Sequence, residues 1–225
     1  MLEETTPTAL THAVLKAKQR ALREDFPQTM GLRVHRSISW IGRAEEATDD
    51  DGRFIFMWIG FNAAYADEEE VHKTMSEART EFTGFFHKVV TLDTGQRVYD
   101  AIWDNFSGPI RVLLDNRYVF SPFWKHHNGI SGYEEWEKMF RSAERRFILA
   151  LKTHNTVEVL NLVFDRLYVL RNQIIHGGAT WNSSVNRSQV RDGAAILSFL
   201  VPVFIDVMMD NPDEDWGRPY YPVVE

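Results

Sequence analysis

The segment from Asn155 to Gly178 constrains the fold most, because its apolar residues recur at the spacing of one face of an α-helix. Asn155 with Glu158 three positions later is typical of a helix start, and Gly177 is typical of a left-handed cap at a helix end. The apolar positions on the predicted buried face are Leu160, Val163, Leu167, Leu170 and Ile174. The pattern predicts one long helix that is buried along one side.

The rest of the chain shows the same helical periodicity and no strand alternation of useful length. We predict further helices over about residues 8–25, 32–47, 54–66, 67–90, 133–152 and 187–209, with one or two short helices punctuated at 93–95 and 107–109. A turn is expected at residues 48–52 and an irregular stretch at 121–132, and Pro202 is expected to kink the last helix. The prediction is therefore an all-α helical bundle with additional N-terminal and middle helices and an extended C-terminal tail.

Length and composition predict one domain over residues 1–225, with an N-terminal extension (1–30), a bundle core (30–210) and an extended tail (210–225). The 44% share of hydrophobic residues is enough for a core and excludes a disordered chain. The apolar runs fall short of the roughly 20 residues that cross a bilayer, and the N-terminus lacks a signal-peptide pattern. We therefore expect a cytoplasmic protein without a membrane segment.

Net charge and cysteine content exclude several kinds of binding surface and catalytic site. A net charge of −7 argues against a general nucleic-acid-binding surface, so any contact with nucleic acid must be local and built from a few arginines. The absence of cysteine excludes disulfides, thiolate metal sites and a cysteine nucleophile.

The end of the long helix reads RNQIIHGG and contains the candidate catalytic residues Arg171, Asn172 and His176. A histidine can accept and donate a proton near neutral pH, and an arginine offers a permanent charge and a fork of donors that suit a phosphate. Asn172 and His176 are four residues apart and share a face. Arg171 lies about 140° from His176 around the helix, so either its long side chain reaches round the helix end or a second copy packed across a two-fold axis brings these groups into one cleft. The geometry favours the shared, dimeric site.

The same residues have a structural interpretation. A histidine in the last helical turn, next to a glycine cap, complements the helix dipole. Arg171 is equally explained as a surface residue paired with Asp165 or Glu158. Spacing alone does not decide between these interpretations.

RNQIIHGG, on the penultimate helix of an all-α chain, resembles the signature of the HEPN superfamily, in which an arginine, a polar residue and a few further residues precede a histidine. Residues 54–66 also resemble the second bundle helix of Apea-like members, and the resemblance covers roughly residues 30–210. It implies a homodimer that places two motifs in one cleft and cuts RNA without a metal or another cofactor. It also implies a hydrolase of toxin–antitoxin or anti-phage defence systems, with a cognate antitoxin as a further partner.

In such a ribonuclease His176 would act as general base on a ribose 2′-hydroxyl or as general acid on the leaving oxygen. Arg171 would hold the scissile phosphate, and Asn172 would orient the imidazole or donate a hydrogen bond to the phosphate. The family also contains inactive members. The alternative hypothesis is therefore a non-catalytic HEPN-like helical module for protein assembly or for binding a nucleotide or partner.

Three further groups of residues have a functional and a structural interpretation. Arg33, Arg36 and Arg43 fall within about 80° on one helix, which suggests a phosphate-facing stripe or a solvated face paired with acids. Trp181, Asn182 and Arg187 follow the motif and either line a cleft or form an exposed loop with an aromatic anchor. His126 and His127 have no carboxylate at a metal-site spacing, so no metal is predicted.

Overall fold

The computed structural model describes residues 10–66, 75–184, 186–219 and 221–223, the side chains of residues 75–81 excepted. This part of the chain is all-α, which confirms the predicted fold class. The helices are α1 (His12–Leu22), α2 (Gln28–Glu45), α3 (Asp50–Tyr65), α4 (Met75–Leu92), α5 (Arg97–Asp100, continued by a π-helical turn at Ala101–Asn105), α6 (Ser107–Leu114), α7 (Ser121–His127), α8 (Trp136–Lys152), α9 (Thr156–Ile175) and α10 (Arg187–Asp210).

Helix α3 lies at the centre and packs most extensively against α2 and α10. Its sequence is apolar nearly all round, which is typical of a helix covered on every side. A side-chain hydrogen bond links α2 to α3 at Gly60: the Ser37 hydroxyl donates to the Gly60 carbonyl over 2.8 Å.

An aromatic cluster joins α3 to the helix that carries the motif. The Phe61 ring lies 4.5 Å from that of Phe164 on α9, and 6.1 Å and 6.2 Å from those of Phe86 on α4 and Phe204 on α10. All four side chains are fully buried. Burial of each is worth roughly 1.5–3 kcal/mol, and aromatic pairing adds to it. The body of α9 is thus held by the core, and its C-terminal end projects from it.

Helix α10 runs without interruption through Pro202. It is long and apolar enough to cross a membrane, with a mean hydropathy of 1.8 over its most apolar window, although the sequence prediction excluded a span on length. Because 78% of that window is buried within the fold, the helix fits the core of a soluble protein.

Two segments predicted to be irregular are helical in part: residues 50–52 and 121–127 lie in helices, whereas 48–49 and 128–132 are non-helical as predicted. The acidic residues at 48–52 begin α3: the Asp49 carboxylate caps it by accepting from the Gly52 amide over 2.8 Å. Residues 121–127 form α7, with Pro122 in its first turn, where the missing amide is not needed. In both cases the residues that start a helix also favour turns. The capping box predicted at Asp67 and Glu70 lies outside the described residues.

Both interpretations of the α2 arginines, a phosphate-facing stripe and a solvated face, are wrong for Arg33, because Arg33 is fully buried. Its guanidinium donates to the carbonyls of Ala64 (3.2 Å) and Ala66 (2.8 Å) at the end of α3, and to those of Gly217 (3.3 Å) and Arg218 (2.8 Å) in the tail. Arg33 therefore links the central helix to the C-terminal segment.

The C-terminal tail is anchored by an aromatic residue. The side chain of Trp216 is buried, lies 6.1 Å from the Phe85 ring, and donates through Nε1 to the Asn211 carbonyl over 2.9 Å. The Lys88 ammonium lies 5.4 Å from the centre of the Trp216 ring. The tail is thus non-helical, as predicted, but this part of it contributes to the core.

Candidate active site

The motif lies at the C-terminal end of α9, and its two glycines shape that end. Asn155 caps the start of the helix by accepting from the Glu158 amide over 3.0 Å, as predicted. At the other end Gly177 takes a left-handed conformation with φ of 71°, which confirms the predicted cap. A Cβ at Gly178 would lie only 3.2 Å from the Gln173 carbonyl oxygen, which instead accepts from the Ala179 amide over 3.1 Å. The glycines let the chain fold back over the last turn.

Arg171 and Asn172 form a pair on this last turn. Both side chains are half-buried, and the Arg171 Nη1 donates to the Asn172 Oδ1 over 2.9 Å. The amide oxygen therefore positions the guanidinium, and the amide –NH₂ group keeps its donors. Glu158, one of the two carboxylates considered as partners of Arg171, pairs with Arg146 instead.

His176 is exposed at the helix end, where its backbone amide donates to the Asn172 carbonyl over 3.0 Å. Within the described residues its imidazole makes no hydrogen bond, so Asn172 does not orient the ring through one. The ring can therefore reach a ligand in solvent. Neither His176 nor Arg171 is enclosed by apolar packing.

Gln173, a motif residue that the sequence analysis passed over, ties the helix end to two other segments. Its Nε2 donates to the Tyr118 carbonyl over 2.6 Å, and its Oε1 accepts from Asn186 over 3.4 Å. The Tyr118 carbonyl also accepts from Trp124 Nε1 over 2.7 Å. No sequence signal identified Gln173, because its partner Tyr118 is 55 residues away in the chain.

Of the residues after the motif that were predicted to line a cleft, Trp181 is exposed and Arg187 is paired with a carboxylate. Trp181 is 71% exposed and remains available to a ligand. Arg187 is not available, because its Nη1 donates to Asp51 on α3 over 2.6 Å and approaches the Asn182 Oδ1 at 3.4 Å. The hydrogen bond to the Asp51 carboxylate raises the pKa of Arg187. Asn186, expected to start α10, has φ of 62° and provides no side-chain cap.

No cluster of three His, Asp or Glu side chains able to hold a metal ion occurs in the part of the chain that the structure describes. His126 and His127 lie on α7 with ring centres 5.4 Å apart, and the His127 ring packs on Phe123 at 4.3 Å. We assign no metal ligand to either histidine.

Comparison of the chain with protein-family models, curated proteins and solved structures gives no match. The HEPN resemblance therefore rests on the order, spacing and helix-end position of Arg171, Asn172 and His176.

Proposed function

We propose that the protein is a metal-independent endoribonuclease of HEPN type, active as a homodimer in the cytoplasm. A role as a toxin or an anti-phage defence effector, restrained by a cognate antitoxin, belongs to the same proposal. One observation supports the proposal most: the His176 imidazole is exposed at a glycine-capped helix end. The same helix end presents the Arg171 guanidinium, which is hydrogen-bonded to Asn172.

The chemistry requires one base, one acid and one phosphate-binding group. His176 takes the proton of a ribose 2′-hydroxyl, whose oxygen attacks the adjacent phosphorus. The bond from phosphorus to the 5′-oxygen breaks, and that oxygen is protonated by an imidazolium, with His176 of a second copy as the natural donor. Arg171 and the Asn172 amide stabilise the charge on the non-bridging oxygens. The products are a 2′,3′-cyclic phosphate and a 5′-hydroxyl.

The test compares wild type with Arg171→Ala and His176→Ala on single-stranded RNA in the presence of a chelator. His176→Ala is expected to lose cleavage by about 100-fold or more, since general acid–base catalysis contributes 10²–10⁴-fold. Arg171→Ala is expected to lose about 100-fold as well, because it removes a group that stabilises the charge of the transition state. His87→Ala and Arg20→Ala are matched controls, because both side chains are exposed on other helices. A 2′-deoxy substitution at the cleaved position should abolish the reaction.

Equal cleavage by wild type and both motif variants would remove the motif from the mechanism. A wild-type protein without any cleavage activity would overturn the enzyme proposal.

A non-catalytic helical module is the second candidate, and specific observations favour it. The glycine cap and the Arg171–Asn172 hydrogen bond both have a structural role, and large apolar side chains are exposed at Leu149 (61%) and Ile148 (50%) on α8. This candidate predicts no nuclease activity and ordinary tolerance of His176→Ala. Motifs facing one shared cleft in the dimer would favour the enzyme, and motifs facing separate solvent would favour the module.

A further inference from the structure

A groove runs between α6 and α8, outside the motif itself. It consists of two adjoining cavities of about 720 Å³ and 540 Å³, which share Val112, Asp115 and Arg141 as lining residues. Each volume is in the range of ligand-binding pockets. We call this feature the α6–α8 groove.

The charge of the α6–α8 groove is opposite to that of the whole chain. Three carboxylates line it, against five arginines, although the chain carries a net charge of −7. The arginines are Arg111, Arg117, Arg141, Arg145 and Arg166. Such a local excess of positive charge attracts an anionic ligand.

Most of these guanidinium groups are not neutralised nearby. Among the described residues, Arg111, Arg117 and Arg145 form no salt bridge and are exposed, and Arg141 reaches Glu137 only at 3.9 Å. Since a surface ion pair at that distance is weak, four cations remain available to phosphates.

Aromatic rings stand beside these cations. Tyr118, 42% exposed, lines the larger cavity together with Trp136 and Phe140. The guanidinium carbon of the buried Arg166 lies 5.4 Å from the centre of the Phe140 ring. Rings interleaved with arginines are the combination that binds single-stranded nucleic acid, by stacking on bases and pairing with phosphates.

The groove adjoins the motif. Tyr118, which lines it, accepts the hydrogen bond from Gln173, and Gln189 at the start of α10 lines the same cavity. His176 is three residues beyond Gln173, about 60° away around the helix at roughly 100° per residue. His176 is therefore within about one helical turn of the residue that contacts the groove lining.

We propose that the α6–α8 groove binds a single-stranded segment of RNA and leads it to His176. The identity of the ligand as substrate rests on the proposed function, whereas its binding in the groove does not. A protein segment or a second copy of this chain would use the exposed apolar residues Val112 and Ile148 instead, but neither needs three exposed guanidinium groups without a salt bridge.

The experiment measures binding of a fluorescent single-stranded RNA of about 12 nucleotides to His176→Ala protein, in which cleavage is disabled. In that background the triple substitution Arg111→Gln, Arg117→Gln and Arg145→Gln should raise the Kd by about tenfold or more. The dependence of log K on log salt should become shallower by about 2, because each lost phosphate contact to a single strand accounts for about 0.7.

Two further variants sharpen the test. A control triple variant combines Arg20→Gln, Arg23→Gln and Arg43→Gln, which remove the same total charge from exposed positions in the N-terminal part of the chain. This variant should change the Kd by less than about twofold. Tyr118→Ala keeps the carbonyl that Gln173 uses and should raise the Kd by about tenfold through lost stacking.

RNA binding that is equal in the groove triple and the background protein, or absent from both, overturns the inference. Loss of self-association in the groove triple, with RNA binding per subunit unchanged, would make the groove a protein interface and also overturn it. Groove-dependent binding by a wild-type protein that does not cleave RNA would leave this inference standing while the proposed function fails.

Discussion

At the scale of single residues, Arg33 is a buried cation that donates to backbone carbonyls of two distant segments. Two of these carbonyls lie at the C-terminal end of α3, where the helix dipole places partial negative charge, and two lie in the C-terminal tail. A guanidinium tolerates such burial because its fixed fork of donors can satisfy several carbonyls together.

Arg33→Met should lower the free energy of unfolding by about 2–4 kcal/mol, because it leaves buried carbonyls without donors. Denaturation in urea measures the change. Arg20→Met, at an exposed position on α1, is the matched control and should stay within about 0.5 kcal/mol of wild type. An Arg33→Met protein as stable as that control would show that the carbonyl contacts contribute nothing net.

The role of Arg33 was out of reach of sequence analysis. Helical periodicity groups Arg33 with Arg36 and Arg43 as charged residues, and charged residues are ordinarily exposed. The Ala64 and Ala66 carbonyls are 31 and 33 residues from Arg33 in the chain, and the Gly217 and Arg218 carbonyls are 184 and 185 residues away. Only the assembled helices bring these carbonyls together.

At the scale of helices, the end of α9 depends on the left-handed backbone of Gly177. An added Cβ would meet no neighbouring atom within 4 Å. A side chain at this position therefore destabilises the fold through its backbone conformation and not through steric crowding. This end also positions His176, so its geometry bears on the candidate site.

Gly177→Ala should destabilise the protein by roughly 1–2 kcal/mol, and Gly177→Asn by less, because asparagine tolerates the left-handed region. Gly84→Ala is the internal contrast: it lies exposed within α4 with open space around it and should be neutral or stabilising by up to about 1 kcal/mol. Thermal or urea unfolding of the three variants provides the comparison. The same loss at residues 84 and 177 would contradict the conformational explanation.

The two ends of α9 were predictable because each signal is local: an asparagine cap three residues before Glu158 and a glycine just past the last turn. Helix α7 was not, because Pro122 and the following Asn128 and Gly129 are equally typical of loops. For the candidate site, the positions of Arg171, Asn172 and His176 at the helix end followed from the sequence. The hydrogen bond from Gln173 to Tyr118 and the α6–α8 groove did not, because they join segments distant in the chain.

At the scale of the whole molecule, the C-terminal segment belongs to the core. Its contributions are the buried indole of Trp216 and two of the carbonyls that satisfy Arg33. Ion pairs also join the C-terminal helix to the rest of the fold. Asp206 on α10 accepts from Lys18 on α1 over 2.6 Å and from Arg97 on α5.

Deleting residues 211–225 should cost about 3–5 kcal/mol of stability, since it removes a buried tryptophan and leaves part of a buried guanidinium unpaired. Deleting only residues 222–225 should change little, because Val223 is 68% exposed. Melting temperatures of the two truncated proteins measure the difference. In the longer truncation Arg33→Met should cost less than in the full chain, as expected of groups that share an interaction. Additive losses would mean that Arg33 and the tail act independently.

The reach of Arg33 across the chain has a consequence for biosynthesis. A ribosome completes α2 and α3 early, yet the guanidinium can reach the Gly217 and Arg218 carbonyls only after residue 218 has been translated. Until then the nascent polypeptide lacks two acceptors of a cation that the finished fold buries. The packing around α2 therefore cannot be completed before the tail is made, and premature stop codons before residue 217 should yield products that cellular proteases remove.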